Sequence, residues 1–506
     1  MARKKYQKKE PVTRVPFKLS HAASDDQLAI KDCWLNDLDN IFIPAVAGSG
    51  KSSTLAFLMA CAANVVGAYI AFNKDIVTEM EPKCPPGVTV KTRHAFGYVA
   101  FAKKGIRLKV EKDKLSHALE KNGYVVSKED ELSYERCQSI KRLIDQMKNN
   151  LIDVHDHEGI DRMCYFYDID IDCLDEVKVK LPKIFELIVS LGMEGIIDFV
   201  DMKWLPVHLK WEMNRFPVLF LDEYQDSSSL DMAFDKMLLA PGGRVVIVGD
   251  ARQSIYGFAG ANCDSIEIAS QQFLSSEFAL NKTFRCSPEV VAHAQRIVPH
   301  IEAWEGTKPG RVVRMFEEFE PTSMDPNAMV LCRRNAPLVR PCFKALKAGV
   351  KANIKGRDIG AGLITIINKQ NAETIPTMLD KMEDFFHRAK ERVMSRKRVN
   401  PMTLELLEDQ QSIIEAFAME PDIQTISQLK SKIKEMFTED KTGMVFSSVH
   451  RSKGLEADHV VILDAKRIRL SFDKMTDEAR TQEANLEYVA ITRAKGNLYL
   501  DLAERK

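Results

Sequence analysis

Residues 41–54, IFIPAVAGSGKSST, constrain this chain more than any other stretch. An apolar run passes into a loop of small residues, and Lys51-Ser52 then opens a segment with helical apolar spacing. Ala47, Gly48, Ser49 and Gly50 are small enough for main-chain N–H groups to turn inward on an anion. That anion sits at a helix N-terminus, whose dipole favours negative charge. Such a strand–loop–helix unit cradles phosphates: Lys51 reaches the β- and γ-phosphates, and Ser52, followed by Ser53, offers a hydroxyl to Mg²⁺. Ala45 stands in place of the first glycine of this pattern. Pro44 falls at the strand end, where it owes no ladder hydrogen bond.

Two further strand ends carry polar groups. FPVLFLDEYQD (216–226) delivers Asp222 and Glu223 at the carboxyl end of a buried strand, where open α/β sheets bind ligands. One carboxylate can hold Mg²⁺ and its neighbour can orient and deprotonate a water. GGRVVIVGDARQ (242–253) ends on Gln253, a neutral amide able to bond the γ-phosphate or the attacking water. Tyr256 and Phe258 follow in a loop too small-residued to bury them. Their rings either stack on nucleobases or pack on a neighbouring domain.

Composition sets limits on these readings. Lys+Arg and Asp+Glu are 72 each in 506 residues, so a polyanion surface must come from local arrangement. Ten cysteines scattered without a CxxC pair argue for a reducing compartment, the cytoplasm or a nucleus. Ser52–Asn73 carries no charge and is nearly long enough to span a bilayer. Asn64 and Gly67 divide it into a helix and a strand, which excludes a membrane span. The basic start, MARKKYQKKEP, has no apolar stretch behind it and reads as a solvated tail.

Taken in order, these segments resemble the UvrD/Rep-type superfamily 1A helicases, and the likeness runs through most of the chain. SDDQLAI supplies Gln27, similar to the family's adenine-reading glutamine. AYIAFNKDIVTEM and VKTRHAFGYVAF resemble its two DNA-contacting segments, with Phe72, Asn73, Lys74, Thr92, His94 and Phe96 at the motif positions. LDEYQD is its DExxQD variant, and GDARQSIYGFAGA is similar to GDxxQSIYGFRGA. LNKTFRCS resembles LxxNYRS, which implies that Phe284 stacks on adenine and Arg285 reaches the γ-phosphate. AMVLCRRNAPLVRPCFKAL places Arg333 and Asn335 as DNA contacts. FSSVHRSKGLEADHVVIL implies that Ser448 and His450 touch DNA and Glu456 the nucleotide sugar. NLEYVAITRAK carries Arg493 as the arginine finger. The wording FNK, TRHAFG and YVAITRAK leans toward the F-box DNA helicase branch. Three departures stand out: Ala259 replaces the usual arginine, Phe284 replaces tyrosine, and Glu483-Ala-Asn-Leu replaces a charged run that would supply interdomain salt bridges.

The resemblance implies an α/β fold of two RecA-like motor domains with helical insertions. The first is 1–100 with 195–277, interrupted by insertion 101–194. The second is 278–365 with 441–506, interrupted by a reduced insertion, 366–440. Strand-like runs at 41–45, 67–72, 87–91, 217–221 and 244–248 make the first parallel sheet. Runs at 278–283, 328–332, 443–448, 459–464 and 496–501 make the second. Apolar spacing on both helices of 366–440 suggests that they pack on each other as a separate arm. HRAKERVMSRKR (387–398) is a basic face there, either solvated or touching duplex phosphate. The activity implied is Mg-ATP-driven 3′→5′ movement of a monomer on single-stranded DNA and its junctions with duplex, unwinding as it goes. Asp222 and Ser52 would hold the metal, Glu223 would position water, and Arg285 and Arg493 would stabilise transferring charge. DNA would move past Phe72, Phe96 and Phe258. A motor-like scaffold without turnover and a phosphate-loop enzyme of other chemistry, such as a small-molecule kinase, are the rival classes. No protein partner is legible.

Overall fold

The computed structural model describes residues 17–62, 64–126, 130–255, 265–395, 399, 401–440, 442–471, 475 and 477–504. The chain divides into two compact units, 1–45 with 50–280 and 46–49 with 281–506.

In the first unit six parallel strands form one sheet: β1 Asn40–Pro44, β2 Gly67–Ala71, β3 Val88–Thr92, β4 Phe216–Leu221, β5 Leu239–Gly249 and β6 Ser275–Glu277. Their spatial order is β3-β2-β4-β5-β1-β6. The strands are apolar on both faces because helices cover both. Phe42, Ala68, Ile70, Leu219 and Val245 point into one core, and their alternates Ile41, Tyr69, Phe220 and Val246 into the other. Helices of the first insertion join the former core through Leu119, Ile140, Leu143 and Ile184, so insertion and sheet are one packed body.

Buried ion pairs fix the helices that follow β3. Arg93 donates from Nε and Nη2 to Asp235 at 2.9 and 2.8 Å, and Lys203 lies 2.6 Å from Asp231. Deeper in the insertion, Lys114 and Lys148 share the fully buried Asp201 at 2.6 and 2.8 Å. Charges this deep persist only when paired.

The second unit holds a seven-stranded parallel sheet: β7 Arg311–Met315, β8 Met329–Cys332, β9 Ala352–Lys355, β10 Phe437–Thr438, β11 Met444–Ser448, β12 Ala457–Ile462 and β13 Ala494–Asp501. The order is β7-β13-β12-β8-β11-β9-β10. The run 278–283, expected in this sheet, is not part of it. Leu280 bridges to Ala45 beyond the end of β1, and Lys282–Thr283 pairs with Glu302–Ala303 as a separate ladder. β7 and β9, which the sequence did not announce, take edge and near-edge places.

The expectation of a separate arm at 366–440 is overturned. Its buried residues Met382, Phe386, Ile413, Phe417 and Ile433 belong to the same core as Val330, Phe343, Ile354 and Phe446 of the sheet and its helices. Phe417 packs edge-on against Phe343 with centroids 5.0 Å apart. The side-chain carboxylate of Asp409 accepts from the N–H groups of Asn335 and Ala336 at 3.0 and 2.7 Å, capping the helix Ala336–Lys347. The boundaries move accordingly. Residue 366 lies inside the helix Arg357–Lys369, residue 101 inside Arg93–Lys103, and β10 inside the supposed insertion. Apolar spacing marked these helices as amphipathic, but spacing does not say what the apolar face meets.

Phe417→Ala should therefore destabilise the second unit by about 3–5 kcal/mol, the usual loss for an emptied aromatic core site. Replacing 375–436 by a Gly/Ser linker should abolish folding of that unit. Thermal melts followed by near-ultraviolet circular dichroism check both; a native melt from the deletion variant would contradict a shared core.

Candidate functional site

All strands of the first sheet are parallel, so their carboxyl ends converge on one edge, and the polar residues past β1, β4 and β5 meet there. After Pro44 the loop turns through Gly48 and Gly50, both left-handed at φ 72° and 79°, into the helix Lys51–Cys61. Among the described residues no side chain caps that helix, which leaves its first amides to an anion. The Ser49 hydroxyl is buried and without a partner among the described residues, Ala47 is fully buried, and Ser53 is half-buried.

Asp222 follows β4 and is fully buried. Ser52 Oγ donates to its Oδ2 at 2.5 Å, and Tyr69 Oη donates to the same oxygen. Burial and the neighbouring Glu223 push the Asp222 carboxyl up; Ser52, Tyr69 and Lys51 work against them. Burial and Asp222 also hold the Tyr69 phenol well above its usual range, so it stays a donor. Glu223 adopts a left-handed φ of 51°, rare for a side-chain-bearing residue, and its N–H donates back to Asp222 Oδ1 at 2.9 Å. Its carboxylate lies 3.8 Å from Lys51 Nζ and accepts from Gln225 Nε2.

Gln225 extends the chain of contacts to β5. Its Oε1 accepts from the Asp250 N–H at 3.0 Å, and Asp250 Oδ2 accepts from Gln253 Nε2 at 2.7 Å. Lys51, Glu223, Gln225, Asp250 and Gln253 thus form one continuous polar line. Two hard oxygens at Asp222 and Ser52 beside open amides and an orphaned hydroxyl fit a magnesium–nucleotide phosphate group. Gln27 sits beneath the same helix, its Nε2 donating to Thr54 Oγ1 at 2.9 Å and its Oε1 accepting from the Ser24 N–H at 3.1 Å.

Residues assigned to DNA divide sharply. Phe72 (45% exposed), Asn73 and Lys74 stand in solvent past β2, with Asn73 capping the next helix through the Ile76 N–H. Thr92 caps the helix Arg93–Lys103, and His94 is half-buried with its ring edge-on to Phe199. Burial and Lys203 push the His94 imidazole down to about 4. Phe96 corrects the expectation: it is 4% exposed, packed edge-on to Phe216 within the core. Its helix turns positions 96 and 100 inward together, which leaves no ring face for a base. Tyr256, Phe258 and Ala259 lie outside the described residues, as do Arg396, Lys397 and Arg398.

In the second unit Arg285 Nε pairs with Glu456 at 2.7 Å, and Lys495 Nζ pairs with its other oxygen at 2.8 Å. Burial raises the Glu456 carboxyl, but the two cations outweigh it and hold it below its usual range. Phe284 is half-buried against Trp304, centroids 5.6 Å apart. Arg493 is 1% exposed, its guanidinium donating to the carbonyls of Val489 and Leu455 at 3.0 and 3.2 Å.

Arg333 is a second correction. It is buried and donates through both terminal nitrogens to Glu483, at 2.5 and 3.0 Å, with Glu405 on Nε. The glutamate retained in the altered run 483–486 thus ties the sheet edge to the helix Asp477–Ile491 within one unit. Asn335 Nδ2 likewise donates to Asp409 at 3.1 Å, while its Oδ1 is buried without a partner among the described residues. Ser448 is buried at the end of β11, and His450 beside it is half-buried. Tyr69, Gln225, Asp250 and Lys495 were missed as functional groups. Gln225 and Asp250 had a signal, their places inside the quoted LDEYQD and GDARQ motifs.

Burial, with Arg333 nearby, pushes His450 down to about 4 from an ordinary 6.5. The unfolded chain therefore takes up this proton first as pH falls, and stability is lost between pH 6.5 and 4. Protection factors of the Met444–Ser448 amides, taken relative to the intrinsic exchange rate at each pH, should fall across that window as pH drops, and His450→Asn should flatten the dependence. Equal slopes in the two proteins would remove the histidine as its cause.

Sequence comparison agrees with this geometry. The family described as UvrD/REP helicase N-terminal domain matches residues 73–274, and the UvrD-like helicase C-terminal domain matches 443–500, together about half of the chain. F-box DNA helicase protein 1 of Schizosaccharomyces pombe is 22% identical over 94% of this chain and 57% of its own length. F-box DNA helicase 1 of Gallus gallus is 24% identical over 90% and 46%. DNA helicase II of Escherichia coli is 29% identical over 22% of this chain. The chain spans about half the length of the two F-box relatives. With parallel α/β sheets in both units and a phosphate-loop edge in the first, it belongs to the UvrD/Rep-like helicase family.

Proposed function

We propose that this chain is an ATP-dependent DNA helicase that moves 3′→5′ on single-stranded DNA. The observation that carries the reading is the unbroken polar line from Lys51 through Glu223, Gln225 and Asp250 to Gln253. It links the phosphate-loop lysine and the candidate base to an amide that borders the loop after β5. Lys51 and the open amides of its helix bind the β- and γ-phosphates. Glu223, aimed by its left-handed backbone and by Gln225, orients the attacking water and takes its proton. Bound Mg²⁺, at Asp222 and Ser52, would neutralise phosphate charge. Arg285 and Arg493 supply positive charge to the transferring phosphoryl group, a role that requires each to leave its present partners. Phe72, Asn73 and Lys74, exposed past β2, are the first unit's contacts to the strand. That the F-box and helicase II relatives are DNA helicases supports DNA as the track.

DNA-stimulated ATP hydrolysis is the deciding assay. Lys51→Ala should abolish it while single-strand binding survives. Glu223→Gln should keep ATP binding and slow turnover by about 100-fold or more, the usual loss with a general base. Parental rates in either variant would refute the site. Duplexes with a 3′ tail should unwind faster than those with a 5′ tail at matched salt; the reverse preference would overturn the polarity alone.

A further inference from the structure

One face of the first unit has a charge opposite to that of a polyanion surface. Between Asp153 and Glu176 there are nine Asp and Glu residues and a single Lys or Arg, Arg162. Arg162 itself lies 3.6 Å from Glu158, and from outside the segment Lys178 pairs with Asp161 and Asp175 and Arg136 with Asp172, which leaves the face acidic on balance. A field of this sign repels phosphate. Yet the face is not simply a solvated acidic surface, because it leaves aromatic rings in water. Tyr165 and Phe166, at the end of the helix His157–Phe166, are 68% and 59% exposed.

These rings help to line a cavity of about 700 Å³ with Ile152 and Met163. Ile152 also lines a second cavity, of about 470 Å³, walled by Val154, Phe185 and Trp204 and by the carboxylates Asp153 and Glu186. Sharing Ile152, the two cavities form one stepped apolar groove. The groove is firmly backed. Phe166 packs edge-on to the buried Tyr167 at 4.9 Å, and Tyr167 Oη donates to Asn150 Oδ1 at 3.3 Å. On the helix Leu174–Met193, Val179 is 75% exposed three residues before Pro182, which also lines the smaller cavity; this spacing extends the apolar edge along the same helix face.

We propose that this groove docks a basic, amphipathic segment of a partner protein. Its apolar side chains enter the two pockets, and its lysines and arginines face Asp153 and Glu186, since Asp161 is already paired with Lys178 at 2.5 Å. Charge excludes the other occupants. Nucleic acid and anionic lipid are repelled, and a second copy meeting the same patch across a two-fold axis would set carboxylates against carboxylates. The inference stands apart from the motor reading, since none of these residues belongs to the nucleotide edge.

The test titrates the full chain with three fluorescent probes: a Leu/Lys amphipathic helical peptide, its Ala/Lys counterpart of equal charge, and oligo-dT. The Leu/Lys peptide should bind about tenfold more tightly than the Ala/Lys one, as expected where apolar anchors fill pockets. Tyr165→Ser with Phe166→Ser should weaken it about tenfold, and Val179→Ser should weaken it independently. Asp153→Lys with Glu186→Lys should lower affinity and flatten its salt dependence. Circular dichroism and single-strand-stimulated ATPase should stay parental, because all five side chains lie at the surface. Equal binding of the two peptides, or affinity unmoved by the aromatic and Val179 variants, would overturn the proposal. So would an oligo-dT or self-association signal that these substitutions abolish.

Discussion

The first unit is organised around one buried carboxylate. Asp222 is removed from water past the end of β4, where an ionised group is tolerated only with close partners. Ser52 arrives from the phosphate-loop helix and Tyr69 from the neighbouring β2, each donating to the same oxygen. That requirement ties three elements together, so the loop, the strand end and the helix start cannot shift independently. The left-handed Glu223 follows directly. With Asp222 turned inward, the next residue must reverse direction to present its carboxylate toward Lys51. Gln225 then bridges to the amide of Asp250 and so links β4 to β5.

The legible part of this site was the part written in backbone chemistry. A phosphate loop needs small residues at fixed offsets from a lysine, and a catalytic edge needs acids directly after apolar runs. Lys51, Ser52, Asp222, Glu223 and Gln253 could therefore be named from spacing alone. What could not be read was where a helical side chain points once a second element arrives. Phe96 and His94 sit two residues apart on one helix, and packing against Phe216 sent the former into the core. Arg333 looked like a surface cation until Glu483, 150 residues later, supplied a bidentate partner. Tyr69 read as one aromatic in an apolar strand; its hydroxyl gains meaning only from Asp222, 153 residues away.

The reduced insertion shows the same limit at the scale of a domain. Amphipathic spacing over 375–394 and 426–436 fits either two helices packed on each other or two helices laid over a sheet. A separate arm of this size would have only a small core of its own, and such cores leave a domain marginally stable. Sharing the core of the second sheet removes that difficulty. Phe417 and Phe386 fill space beside Phe343 and Phe437, while Asp409 supplies the cap that the Ala336–Lys347 helix lacks locally. The insertion shares the core of the sheet it interrupts.

Neutral overall charge conceals how this chain sorts its ions. Nine carboxylates and one arginine fall within 153–176, so the remaining residues carry a cationic surplus of equal size. Within a Debye length of any surface only the local set of charges matters, about 8–10 Å at physiological salt. A balanced composition thus leaves a cationic track possible on one face and forbids it on another. The first insertion shows this most clearly. Its interior cations Lys114 and Lys148 are consumed by Asp201, while its outer acids outnumber the few cations, Arg136, Arg162 and Lys178, that pair with them. Cations placed inside hold the insertion together, and carboxylates left outside decide what can approach it. Charge in this chain therefore acts as architecture where it is buried and as selection where it is exposed.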